Sequence, residues 1–212
     1  MKILQIMCHP DYNGEYRVSN ILANIGEKKL IEEGFKDIEN INLYDPSVHI
    51  SVMDKFMFNY EGVQLPEKEQ HDKIRQKEIL NQWKSANAVF IYMPLHNFNV
   101  VSKFKDYVDN IVIVNETFKC EEESLIGLDK SNKQIMFVIT SGGEFDKHIQ
   151  YTNLDFAVQY VRGIFSVLGI DKIKVLRVEG LDLAFNDKEQ IVKEAIVDLK
   201  AWIEEFSRKN KK

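Results

Sequence analysis

The sequence has few residues that break regular secondary structure. Its ten glycines and four prolines in 212 residues are about half of the roughly 12% share that is usual for these two residues. Hydrophobic residues make up 44% of the chain and charged residues 29%, a composition that excludes global disorder. We therefore expect helices and strands with short connections, organised as one domain over residues 1–212.

Long hydrophobic runs and cysteines are also scarce. The longest apolar run, residues 88–93, is far shorter than the ~20 residues that a membrane-spanning helix needs. The first residues do not follow the pattern of a signal peptide. Two cysteines, Cys8 and Cys120, do not suffice for a disulfide framework or a cysteine metal cluster. These absences predict a cytoplasmic protein without a membrane span.

The charge balance argues against nucleic acid as a partner. Lysine and arginine number 28 against 33 acidic residues, which gives a net charge of −5. Proteins that bind nucleic acid carry a basic surface that neutralises phosphates. The one basic cluster, residues 208–212, ends the chain, where a solvated terminus is the usual state.

Short apolar runs alternate with helical patterns along the chain. The runs at residues 3–7, 88–93, 135–140 and 173–178 lack the polar alternation of a half-exposed strand, and residues 38–44 form a fifth candidate. Helical spacing of apolar residues lies between them, with Gly34 predicted to end the first helix. This alternation predicts an α/β fold: a doubly wound five-stranded parallel sheet with helices on both faces.

Several helix boundaries follow from the sequence. Pro66 is predicted to open the second helix, and a fourth helix is expected over residues 154–168. Asn186 is predicted to cap the last helix, with Glu189 completing a capping box. Two irregular stretches, residues 45–65 and 115–133, are long enough to form walls of a site or an interface.

Ligands of open parallel sheets bind beyond the carboxyl ends of the strands, so the residues that follow each strand are the candidates for a site. Residues 8–20 contain neither of the glycine-rich phosphate signatures. A serine at the start of a helix, Ser19, with Arg17 two residues before it, is suited to hold a phosphate. Alternatively, Ser19 or Asn20 only caps the helix.

The ends of two further strands complete the candidate site. Pro94 is followed by Leu95, His96, Asn97 and Phe98, a set that suits a planar heteroaromatic ligand or forms an ordinary polar loop. Thr140 is followed by Ser141, Gly142 and Gly143, the one Gly-Gly pair of the sequence. Adjacent glycines allow a ligand to approach the backbone closely, and they are equally compatible with a tight turn.

The remaining candidates have structural interpretations. His49, His71 and His148 share no metal-ligand spacing, so they are predicted to be surface histidines, and no metal site is predicted. Cys8 is interpreted as a small buried residue, with a redox role as the alternative. The Met-Phe segment at residues 52–58 is predicted to be a dimer contact, a substrate wall or a buried amphipathic helix.

One block of sequence resembles a known family. The run Pro94-Leu95-His96-Asn97-Phe98, the following Phe104-Lys105-Asp106-Tyr107-Val108-Asp109 and the pair Thr117-Phe118 resemble FMN-dependent NADH-azoreductases, members of the flavodoxin-like NAD(P)H quinone-reductase superfamily. Gly127-Leu128 and Thr140-Ser141-Gly142-Gly143 are similar as well, and the likeness extends from Met1 to the last helix. The start Cys8-His9-Pro10 is more similar to the FAD-type quinone reductases.

The resemblance implies FMN as the cofactor, with FAD as the alternative. It places the phosphate on His9, Arg17, Val18 and Ser19. The family usually has serines in the first loop where this chain has His9 and Arg17. It places the flavin ring on the loops around Pro94, Leu95, His96, Asn97 and Phe98 and around Thr140, Ser141, Gly142 and Gly143. His96 is a candidate proton donor or only a wall of the pocket, and no catalytic residue is assigned.

The resemblance also implies the activity: two-electron, ping-pong reduction of quinones or azo compounds by NADH or NADPH in a homodimer. The partner would be a small aromatic electron acceptor. The alternatives are a flavin-binding regulatory subunit of a potassium-efflux system, an FAD-type quinone reductase and a one-electron carrier of the flavodoxin kind.

Overall fold

A computed structural model of the protein describes residues 1–50, 66–129, 131–145 and 149–210. The side chains of Lys68, Ile149 and Gln150 are not described. The Met-Phe segment at residues 52–58 and His148 lie outside the described residues, so the predictions made for them are not tested.

The elements follow one another in the alternating order that the sequence predicts. In chain order they are β1 (Lys2–Met7), α1 (Val18–Glu32), β2 (Asp37–Asn42), α2 (Glu67–Ser85), β3 (Ala88–Pro94), α3 (Ser102–Ile111), β4 (Phe118–Glu121), β5 (Ser124–Gly127), β6 (Gln134–Thr140), α4 (Ile149–Thr152), α5 (Phe156–Val167), β7 (Ile173–Val178) and α6 (Lys188–Asn210). None of the described helices combines the length and apolar character that a membrane crossing requires.

A five-stranded sheet forms the centre of the fold, in the order β2-β1-β3-β6-β7. All four strand pairs are parallel. All seven residues of β3 are buried, as expected for a strand that is covered on both faces. The predicted flavodoxin-like, doubly wound fold is therefore confirmed, including the fifth strand, which begins at Asp37 and ends before Leu43.

Successive side chains of the strands point to opposite faces of the sheet, where they pack in two separate hydrophobic cores. On one face, Phe90 of β3 packs with Leu22 and Leu30 of α1 and with Leu199 and Phe206 of α6. The other face holds the side chains of α2, α3 and α5, whose largest aromatic residues are Trp83, Tyr107 and Phe165. The rings of Trp83 and Phe165 are stacked with centroids 5.1 Å apart. Burial of both faces is what stabilises a parallel sheet of this kind.

The ends of the first and last helices test the predicted caps. Gly34 has a φ of 85° and its N–H donates to Ile31 O at 2.8 Å, so it ends α1 as predicted. The cap predicted for α6 is wrong. Asp187 caps this helix, because its Oδ1 accepts a hydrogen bond from Gln190 N at 3.1 Å. Asn186 instead donates through Nδ2 to Gly180 O at 3.0 Å.

The stretch predicted as irregular, residues 115–133, contains the antiparallel hairpin of β4 and β5. Thr117 fixes its start, because Oγ1 donates to Ile111 O at 2.7 Å and accepts from Ile113 N at 2.9 Å. At the end of the hairpin, Gly127 lies against the turn after α5. A Cβ atom at Gly127 would lie 2.1 Å from Gly169 N and 2.2 Å from Leu168 C.

This packing predicts opposite effects for two glycine-to-alanine substitutions. Gly127→Ala forces backbone apart and is expected to lower the free energy of unfolding by about 1–3 kcal/mol. Gly163→Ala, in α5 at a position where an added Cβ would meet no atom within 4 Å, is the control. It is expected to raise the free energy of unfolding by about 0.5–1 kcal/mol. Urea denaturation of both variants measures this. Equal effects in the two variants would contradict the close packing of the hairpin.

Candidate functional site

Three loops meet at the carboxyl edge of the sheet because the strand ladders continue past the strand ends. Cys8 N donates to Tyr92 O at 2.9 Å, Leu95 N donates to Thr140 O at 2.8 Å, and Ser141 N donates to Val178 O at 3.0 Å. We call the region bordered by residues 8–17, 94–101 and 141–145 the switch-point crevice, since the strand order reverses between β1 and β3. This is where doubly wound sheets bind ligands.

The first loop of the crevice is held by the side chain of Asn20. Its Nδ2 donates to Asp11 O and to Gly14 O, both at 3.0 Å. Arg17 Nε contacts Asp11 Oδ2 at 2.8 Å, a contact between exposed side chains that involves one of the three guanidinium nitrogens. Asn20 therefore shapes the loop from within the first turn of α1.

The start of α1 contradicts the interpretation of Ser19 or Asn20 as a cap. Arg17 occupies the N-cap position, and the part of the chain that the structure describes shows no side-chain cap there. The first hydrogen bond of the helix runs from Ile21 N to Arg17 O at 2.9 Å. The N–H groups of Val18, Ser19 and Asn20 precede it, and the positive end of the helix dipole adds to their field.

Ser19 is the most informative side chain of this helix start. It is buried, and among the described residues its Oγ has no hydrogen-bond partner. Leaving a buried hydroxyl without a partner costs roughly 1–3 kcal/mol. A ligand with acceptor oxygen atoms at the helix start would remove this cost.

His9 lies in the first loop, directly after Cys8. Its Nδ1 accepts from Asp11 N at 3.0 Å, so the neutral ring carries its proton on Nε2, which is then a donor. Burial lowers the pKa of His9 from its ordinary value, and the charges of Arg17 and His96 lower it further, while Asp11 opposes them. His9 and His96, two predicted site residues, follow the paired parallel strands β1 and β3.

Cys8 ends β1 behind this loop and is fully buried. Burial raises the pKa of its thiol well above the usual value, so the thiol stays protonated. The interpretation of Cys8 as a small buried residue agrees with these surroundings.

The second loop is a tight turn with left-handed backbone. His96 and Asn99 exchange backbone hydrogen bonds of 3.1 and 2.9 Å. Asn97 has a φ of 45° and Phe98 a φ of 63°, which is uncommon for residues other than glycine. His96, Asn97 and Phe98 are exposed at this turn, while Pro94 is buried and Leu95 is half-buried. Strained backbone that presents exposed side chains is typical of binding sites.

The third loop is held by the segment at residues 180–182. The carbonyl oxygens of Ser141, Gly142 and Gly143 accept hydrogen bonds of 2.9–3.1 Å from the backbone N–H groups of residues 180–182. In a trans peptide the N–H and C=O groups point in opposite directions. The N–H groups of residues 142–144 therefore point away from residues 180–182. A Cβ at Gly142 would lie 2.5 Å from Asp182 Oδ2, so a larger residue there would have to displace the Asp182 side chain.

Sequence reasoning missed the network that joins the third loop to the second. Arg177 in β7 pairs with Asp155 and Glu179. Glu179 Oε2 accepts from Phe145 N at 2.8 Å, and the Phe145 ring lies edge-on to the Phe98 ring with centroids 5.9 Å apart. Nothing in the spacing of these residues indicates the network, because the contacts join different strands and loops.

His49 and His71 are exposed, which agrees with their prediction as surface histidines, but the structure brings them together although they share no metal-ligand spacing in the sequence. The ligand atoms of His49, His71 and Asp72 all lie within 4.8 Å of one another. The histidines are 22 positions apart in the sequence, so their approach depends on how the segment after β2 packs against α2.

Comparisons with known proteins agree with this geometry. The family described as flavodoxin-like fold matches residues 1–208. FMN-dependent NADH:quinone oxidoreductase 1 of Bacillus cereus (strain ZK / E33L) is 37% identical over 184 residues, which cover 84% of this chain and 86% of that protein. The protein of the same name from Lactiplantibacillus plantarum is 31% identical over 212 residues, 97% of this chain and 98% of that protein.

A solved structure is also similar over nearly the whole chain. The crystal structure of an FMN-dependent NADH-azoreductase from Bacillus anthracis, in complex with FMN, superposes with a TM-score of 0.90 at 31% identity. The match covers 98% of this chain and all of that one. With the strand order and the three converging loops, these matches show that the chain belongs to the flavodoxin-like family of FMN-dependent NADH:quinone oxidoreductases and azoreductases.

Proposed function

We propose that this protein is an FMN-dependent oxidoreductase that uses NADH to reduce quinones or azo compounds. The observation that carries the proposal is the convergence of the three predicted loops at one crevice, in a chain whose relatives are named for this activity. NADPH is the alternative co-substrate, and a small aromatic molecule is the acceptor.

The start of α1 fits the phosphate of FMN. Ser19 has a buried hydroxyl without a partner in the described residues, and the N–H groups of Val18 to Asn20 precede the first helical hydrogen bond. The Nε2–H of neutral His9 supplies a further donor, and Arg17 has guanidinium nitrogens beyond its contact with Asp11. Phosphates bind helix starts for these reasons.

The other two loops fit the flavin ring. Leu95, His96, Asn97 and Phe98 offer an apolar surface, an imidazole and an amide at the exposed turn, and Pro94 holds the strand end. Thr140 ends β6, and the N–H groups beyond Ser141 point away from residues 180–182, which suits hydrogen bonds to the edge of the ring.

When bound, FMN supplies the two-electron chemistry, in which the nicotinamide and the acceptor use the same place in turn. The chain's residues would fix and shield the ring. Phe98 and Tyr151 both pack against Phe145 and remain 47% and 41% exposed, so they offer aromatic surface on which an acceptor can stack. His96 is at the turn that would face the acceptor, where it acts as a wall or donates a proton.

We further propose that the protein is a cytoplasmic homodimer and that residues 1–212 act as one domain. The partly exposed Phe98 and Tyr151 form apolar surface that a second copy would cover. The two cysteines, both free, suit a reducing compartment. Sedimentation of the purified protein as a species with the mass of a single chain would contradict the dimer.

Flavin binding and reduction test the proposed function. The purified protein is expected to bind one FMN per chain, and anaerobic NADH is expected to bleach the flavin absorbance, which a quinone then restores. Parallel titration with FAD and NADPH separates the alternative cofactor and co-substrate. A protein that does not bind FMN would contradict the cofactor. Bound flavin that stays oxidised with both nicotinamides would favour the regulatory subunit.

The Ser19 hydroxyl, which has no partner among the described residues, predicts that substitution of Ser19 weakens binding only of a flavin that carries a phosphate. Ser19→Ala is expected to weaken FMN binding about 10-fold, since a hydrogen bond to a charged group is worth about 1.5–3 kcal/mol. Riboflavin, which lacks the phosphate, is expected to bind the variant and the parent equally. Fluorescence titration measures both affinities. Ser166→Ala, which removes an exposed hydroxyl in α5, is the control. Equal weakening for both flavins would contradict the phosphate contact.

Asn97 can contact the flavin through its side-chain amide, or it can shape the turn through its left-handed backbone. Two substitutions separate these roles. Asn97→Ala is expected to weaken FMN binding and to lower stability by about 1 kcal/mol, because alanine is strained at this φ. Asn97→Gly removes the same amide without the strain. If the amide contacts the flavin, both variants lose affinity in an FMN titration. Full affinity in Asn97→Gly would show that Asn97 only shapes the turn.

A further inference from the structure

A second group of chemically active side chains lies outside the three loops of the switch-point crevice. His49 follows β2, and His71 and Asp72 lie in α2. The ligand atoms of the three side chains are all within 4.8 Å of one another. His49 Nε2 lies 3.2 Å from Asp72 Oδ1, and the centroids of the His49 and His71 rings are 5.9 Å apart.

These separations are close to those that a metal ion requires. Two ligand atoms that each lie about 2.1 Å from a tetrahedral Zn²⁺ are roughly 3.4 Å apart. The contact between His49 and Asp72, at 3.2 Å, is already close to this separation, and a ligand atom of the exposed His71 lies within 4.8 Å of both. Two imidazoles and one carboxylate are a ligand set that Zn²⁺ and similar transition-metal ions accept.

The surroundings of the cluster favour a cation. Asp72 supplies a negative charge, and the nearby Arg75 is paired with Glu78 Oε2 at 2.8 Å. Arg75 Nε also donates to His49 O at 2.8 Å, which holds the backbone of His49 beside α2. The side chains of His49 and Asp72 are 55% and 25% exposed, so solvent can complete the coordination.

We propose that His49, His71 and Asp72 form a binding site for one divalent transition-metal ion, for which Zn²⁺ is the probe. The ion would join residues that are 23 positions apart in the chain, between the segment after β2 and the first half of α2. It would therefore fasten the two ends of the intervening stretch of chain. The alternative is that His49 and Asp72 form a hydrogen-bonded pair without a metal.

Calorimetric titration of the FMN-loaded protein with zinc chloride tests the site. The protein carries no polyhistidine tag and has Cys120→Ser in every sample, because an exposed thiol binds zinc by itself. One equivalent of Zn²⁺ is expected to bind. His49→Ala, His71→Ala and Asp72→Asn are each expected to weaken binding at least about 10-fold, since even indirect partners of metal ligands contribute that much.

Glu32→Gln, which changes an exposed carboxylate in α1, is the matched control and is expected to bind zinc like the parent. The parent is also expected to show a Zn²⁺-dependent rise in melting temperature that the three site variants lose. Absence of zinc binding would overturn the proposal, and so would one equivalent that binds equally in the parent and in His49→Ala. Because flavin loading is measured separately on the same samples, failure of this site is distinguishable from failure of the proposed function.

Discussion

The pairing of parallel strands beyond their ends is the constraint on which the rest of the structure depends. The backbone bonds from Cys8 to Tyr92, from Leu95 to Thr140 and from Ser141 to Val178 set where each loop leaves the sheet. Each loop is then fixed by its own contacts, such as Asn20 in the first and the N–H groups of residues 180–182 in the third. A site made from three separate segments can be precise because a rigid sheet places all three.

The central strands and the convergence of the three loops were predictable from the sequence for a physical reason. Strands covered on both faces must be apolar throughout, so residues 88–93 and 135–140 are recognisable without any tertiary information. Once the strands are identified, topology brings their carboxyl ends together, and the pairing of β1 with β3 and of β3 with β6 places His9, His96 and Gly142 in neighbouring loops. Their contacts with FMN stay a prediction.

Features that depend on tertiary contacts were not predictable. Asn186 and Asp187 are equally good cap residues in sequence, and Asp187 caps α6 because Asn186 bonds to Gly180. The pairing of Arg177 with Asp155 and Glu179, which holds Phe145 near Phe98, joins residues from separate elements. The approach of His49 to His71 likewise depends on packing across a long connection. Local sequence patterns do not record such contacts.

Binding of FMN where the three loops converge is tested by mapping backbone amide shifts with ¹⁵N–¹H NMR during an FMN titration. Large shifts are expected at Val18 to Asn20, at Asn97 and Phe98, and at Gly142 and Gly143. Little change is expected at Asn132, Lys172 and Asn210, which line a cavity at the opposite edge of the sheet. Shifts concentrated at that opposite edge, or confined to only one of the three loops, would contradict binding of FMN at the crevice.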